Sequence, residues 1–68
     1  MPSLNQASFL MQMAKELPVP PEYLESERLW RTCESMTDGE YKKMLALIYN
    51  KKTEEAAKML KELTVFTV

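Results

Sequence analysis

Several residue types that build catalytic or metal sites are scarce or missing in this 68-residue chain. It has no histidine, so the usual base near neutral pH is absent, as are the Ser–His and Cys–His pairings. The single cysteine, Cys33, has no partner for an internal disulfide, and scattered carboxylates do not complete a zinc site around it. The single glycine, Gly39, does not make a glycine-rich phosphate loop. These absences predict a chain that is not an enzyme and that binds no metal or cofactor.

Long apolar segments and a strong net charge are missing as well. No apolar run approaches the roughly 18–20 residues that span a bilayer, and the first residues lack the charged start and cleavage site of a signal peptide. An unpaired cysteine is typical of a reducing compartment, so we expect a cytoplasmic protein without membrane contact. The net charge of −1 gives the whole molecule no bulk attraction to nucleic acid.

The residues that are present indicate a folded domain of limited stability. Apolar residues make up 46% of the chain and charged residues 28%, a composition typical of globular proteins. Because a chain of about 60 residues buries only about 60% of its unfolded surface, it usually needs very good packing, a partner or a second copy. Residues 1–41 carry three basic and seven acidic side chains, and residues 42–68 carry six and three. This asymmetry suits antiparallel self-pairing or merely solvated helix faces.

Capping signals and apolar spacing divide the chain into helices. Ser3 is followed three residues later by Gln6, and Thr37 is followed by Glu40, which are the spacings of capping boxes. Apolar residues recur with helical periodicity after each box. Pro18 ends the first helix, because proline disfavours the helical conformation of the residue before it. The predicted single domain has helices at about 4–16, 21–36, 38–49 and 54–63, and a proline-rich linker at 18–21.

The predicted fold is therefore all-α, a compact bundle of three to four short helices. A loop of about three residues separates the last two helices, which predicts that they form an antiparallel hairpin. In this loop we expect Asn50 to adopt the left-handed conformation and Thr53 to cap the last helix. Residues 64–68 are β-prone, so this tail is a frayed helix end, a short strand or an extended arm.

The chain's methionine and aromatic content exceeds what one small core easily encloses. It has six methionines, three tyrosines, two phenylalanines and one tryptophan. Methionine suits adaptable binding faces and aromatic residues anchor interfaces, whereas Cys33 is expected to be a buried, inert thiol. We therefore predict a small protein-binding regulator, inhibitor or adaptor, of a kind that phages and mobile elements often encode. The predicted contact residues flank the main apolar stripes: Phe9, Met13, Leu29, Tyr49 and Phe66.

Two other functions remain open. Residues 53–60 resemble the first half of a DNA-binding helix-turn-helix, which would imply a DNA-binding regulator that uses the C-terminal hairpin. Lys61 and Glu62 depart from that motif, because they stand where it usually has a glycine and an apolar residue. The lysines that would contact phosphates are Lys42, Lys43, Lys51, Lys52, Lys58 and Lys61. The third possibility is a structural subunit whose function is self-association, as a homodimer or a larger oligomer.

Two short motifs have both a binding and a structural interpretation. Residues 15–21 fit the proline-rich pattern of SH3 ligands, although they also serve as an interhelical linker. The ending Phe66-Thr67-Val68 fits the carboxyl-terminal pattern that some PDZ domains bind, or it packs on its own fold. For both motifs the structural interpretation is preferred.

Overall fold

Four α-helices make up the computed structural model, which describes residues 3–64. Within this range the chain contains no strand, so the predicted all-α class is confirmed. The longest helix has 12 residues, and no helix in the described part has the length and apolar character needed to cross a membrane. The helices are α1 (Leu4–Ala14), α2 (Ser26–Glu34), α3 (Asp38–Tyr49) and α4 (Thr53–Leu63).

The predicted capping box starts α1. The Ser3 hydroxyl accepts a hydrogen bond from the Gln6 backbone N–H at 3.2 Å, and the Gln6 side chain accepts one from the Ser3 N–H at 2.8 Å. The helix ends at Ala14, two residues before the predicted end. At the end of the helix the backbone hydrogen bonds join residues three apart, as in a 3-10 turn. In one of them the Leu17 N–H donates to the Ala14 carbonyl at 3.0 Å. Pro18 disfavours the helical conformation at Leu17, so the helix does not resume after this turn.

The predicted second helix is split, and this part of the prediction was wrong. Pro21–Leu24 forms a 3-10 turn, after which Glu25 is extended (φ −60°, ψ 132°) and α2 begins. The Glu25 carboxylate accepts hydrogen bonds from the backbone N–H groups of Glu27 at 3.2 Å and Arg28 at 2.9 Å. These bonds lower the pKa of Glu25, as does the Arg28 charge. Glu25 therefore ends the 3-10 turn and caps a new helix, because capping requires an extended backbone.

The loop between α3 and α4 differs from its prediction in two residues. The left-handed residue is Lys51, with φ 60°, while Asn50 keeps φ −87° and its side chain donates to the Ala46 carbonyl at 2.8 Å. Thr53 is the first residue of α4 rather than its cap. Lys52 occupies the capping position without a side-chain hydrogen bond. The side-chain amide of Asn50 hydrogen-bonds to its own helix, and the next residue, Lys51, adopts the left-handed conformation.

A single core holds the bundle together. α1 packs against α2, α3 packs against α4 as the predicted hairpin, and α1 also contacts α3. In the described part no buried polar side-chain atom lacks a hydrogen-bond partner. Thr64, the first residue of the predicted tail, is buried and its hydroxyl donates to the Leu60 carbonyl at 2.7 Å. The rest of that tail lies outside the described residues. The largest fully buried side chains of the core are Leu10, Leu29, Met36, Met44 and Leu60.

Candidate protein-binding surface

The exposed face of α1 carries no charged side chain. From Ser3 to Ala14 the chain has no acidic or basic residue, and the first one to follow is Lys15. This face nevertheless presents two large apolar side chains to solvent, because Leu4 is 73% exposed and Phe9 is 43% exposed. By contrast, α2, α3 and α4 all carry charged residues among their exposed positions. The outer face of α1 is therefore uncharged, on a protein with 28% charged residues.

Helical geometry places specific residues at the centre of this face. Successive side chains are about 100° apart around an α-helix, and Ala7, Leu10 and Ala14 face the core. The direction away from the core then falls on Asn5 and Gln12, which are both exposed, with Ser8 on one side of it and Phe9 on the other. We call this surface the α1 face; its residues are Leu4, Asn5, Ser8, Phe9, Gln12 and Met13.

The structure leaves three of the predicted contact residues at least partly exposed and buries one. Phe9 and the partly buried Met13 are one helical turn apart on the α1 face. Tyr49 is 64% exposed at the end of α3. Leu29 is fully buried, so its prediction as a surface contact was wrong for this fold. It shares the buried row of α2 with Cys33, one turn later, while Trp30 is only partly buried. Phe66 lies outside the described residues.

The sequence prediction missed most of the α1 face. The predicted contact residues include neither Leu4 nor the polar residues Asn5, Ser8 and Gln12. Their shared signal is visible in the sequence, since an amphipathic surface helix normally has charged residues opposite its apolar stripe. A helix with amides and a hydroxyl in their place indicates a face that is not optimised for contact with water alone.

The lysines of the DNA-binding alternative are all exposed, but acidic residues separate some of them. A shallow groove of about 750 Å³ runs between α3 and α4 over Leu47, Met59 and Leu63. Lys43 and Lys58 lie on its rim, and Glu40, Glu55 and Glu62 lie on the same rim. The local charge is therefore −1, so these two lysines do not extend a basic stripe. The remaining lysines of the set are Lys42, Lys51, Lys52 and Lys61.

The charged side chains along α2 are engaged with each other and with the backbone. The Arg31 guanidinium lies 2.6 Å from the Glu27 carboxylate, and Arg28 donates to the Glu22 carbonyl at 2.6 Å. Glu27, Arg28 and Arg31 line a second shallow groove, of about 450 Å³. An exposed ion pair such as Glu27–Arg31 contributes little to stability, about 0–1 kcal/mol. The hydrogen bond from Arg28 to the Glu22 carbonyl joins the 3-10 turn to α2.

The thiol of Cys33 is not accessible as a nucleophile. Cys33 is fully buried, and burial raises the pKa of its thiol to about 11. Because the thiolate is the reactive form, such a thiol is inert near neutral pH. Among residues 3–64, no cluster of three cysteine, aspartate or glutamate side chains is placed to hold a metal ion.

Comparison with known proteins identifies no relative of this chain. No protein-family model matches it, and no curated protein and no solved structure is significantly similar to it.

Proposed function

We propose that this chain is a small, non-enzymatic protein-binding regulator or adaptor that acts through the α1 face. The observation that carries the proposal is the exposure of Leu4 and Phe9 on a helix face without charge. The cores of protein interfaces are depleted in charged residues and enriched in aromatic residues and methionine. The α1 face shares the lack of charge and contributes Phe9 and Met13. Its polar groups are amides and a hydroxyl, which lose less on desolvation than charged groups do.

Phe9 is the proposed anchor of the contact. It lies in the middle of α1 and is 43% exposed, so a partner would cover apolar ring surface that the monomer leaves in water. A few central aromatic residues usually contribute most of the binding energy of an interface, typically about 2 kcal/mol or more each. Leu4 and Met13 flank Phe9 and would complete the apolar contact.

Paired variants test this proposal in cells that contain the protein's natural partners. Phe9→Ser removes the anchor. Tyr49→Ser is the matched control, because Tyr49 is more exposed but lies on α3, and the present proposal leaves it out of the contact although the sequence predicts it there. Far-UV circular dichroism first establishes that both variants are folded. We expect a specific co-purifying protein to be retained by the wild type and by Tyr49→Ser but lost with Phe9→Ser. Equal recovery with all three chains would refute a binding role for the α1 face.

The distribution of charge supports the DNA-binding alternative less than it supports protein binding. The mixed signs around the α3–α4 groove give a phosphate backbone no continuous basic surface. A salt titration separates the two functions, since each phosphate contact contributes about −0.9 to the log–log slope of duplex binding. A cytoplasmic location also forms part of the proposal, because Cys33 is an unpaired thiol.

A further inference from the structure

We draw no further inference here: the strongest candidate, the groove between α3 and α4 over Leu47, Met59 and Leu63, carries nothing because its rim mixes lysines with glutamates and nothing in the structure shows what covers it.

Discussion

The single left-handed residue of the α3–α4 loop gives a prediction that can be worked through from the backbone. Lys51 has φ 60°, where a β-carbon crowds the backbone at a cost of about 1–2 kcal/mol. Glycine has no such crowding, but it loses about 0.5–1 kcal/mol through greater freedom in the unfolded chain. The difference predicts that Lys51→Gly stabilises the fold by about 0.5–1 kcal/mol. For a domain of this size that raises Tm by roughly 2–8 °C.

Urea denaturation followed by far-UV circular dichroism measures this change. The midpoint should rise while the slope stays constant, because the buried surface is unchanged. Lys51→Ala is the matched control, since it removes the same charge and aliphatic stem but keeps the β-carbon. We expect Lys51→Ala to leave stability nearly unchanged. If it stabilised the protein as much as Lys51→Gly does, the gain would come from the lost charge and the conformational argument would be refuted.

Three further predictions follow from individual positions. Gly39→Ala should stabilise the fold by about 0.5 kcal/mol, because Gly39 is helical and alanine favours the helix. The added β-carbon would lie in ordinary contact, 3.9 Å from the Thr37 hydroxyl oxygen. Thermal melts measure the change, and a loss of stability would contradict it. Leu29→Ala should lower the free energy of unfolding by about 2–5 kcal/mol, as measured by urea denaturation. Phe9→Ala should lower it clearly less, since of the two side chains only Leu29 is fully buried. Equal losses would contradict this difference in burial. Cys33 should resist thiol reagents until the protein unfolds, and burial raises its pKa from 9.0 to about 11. Between these values the thiol ionises first in the unfolded chain, so the contribution of Cys33 to stability is constant below pH 9.0 and falls towards about pH 11, by at most about 1.4 kcal/mol per pH unit. Stability in this range should therefore fall more steeply in the wild type than in Cys33→Ala, and equal slopes would contradict this.

Helices with reciprocal caps were predictable from the sequence. The boxes at Ser3 and Thr37 start α1 and α3 where the spacing places them, and the bounds of α3 agree with the prediction. These signals are reliable because both partners are a fixed three residues apart and satisfy each other's backbone donors. The short loop likewise predicted the α3–α4 hairpin, because three residues leave the two helices no other way to pack.

Boundaries that depend on competing caps were not predictable. Pro21 is a valid helix start, and only the hydrogen bonds of the Glu25 carboxylate show that the regular α-helix begins later. In the loop, Asn50 has the stronger left-handed preference, but its side chain bonds to the Ala46 carbonyl and Lys51 takes that conformation. Each boundary depends on which of the neighbouring side chains hydrogen-bonds to the backbone, and the spacing of residues in the sequence does not determine this.

The candidate surface was predicted only in part, for a different reason. Phe9 and Met13 were chosen because they flank an apolar stripe, and the same rule selected Leu29. In α2 the buried row passes through Leu29 and Cys33, since the bulkier Trp30 fits only partly inside a core this small. The more informative signal was the absence of charge along α1, which marks a whole face instead of single residues.

The central claim is that the α1 face is the protein's binding surface, and amide chemical shifts test it most directly. ¹H–¹⁵N spectra are recorded as the protein captured in the Phe9→Ser comparison is added to the chain. The account predicts that the shifts that change cluster around Ser8, Phe9 and Gln12, while amides in α4 stay in place. Changes confined to the α3–α4 hairpin, with α1 unaffected, would contradict it.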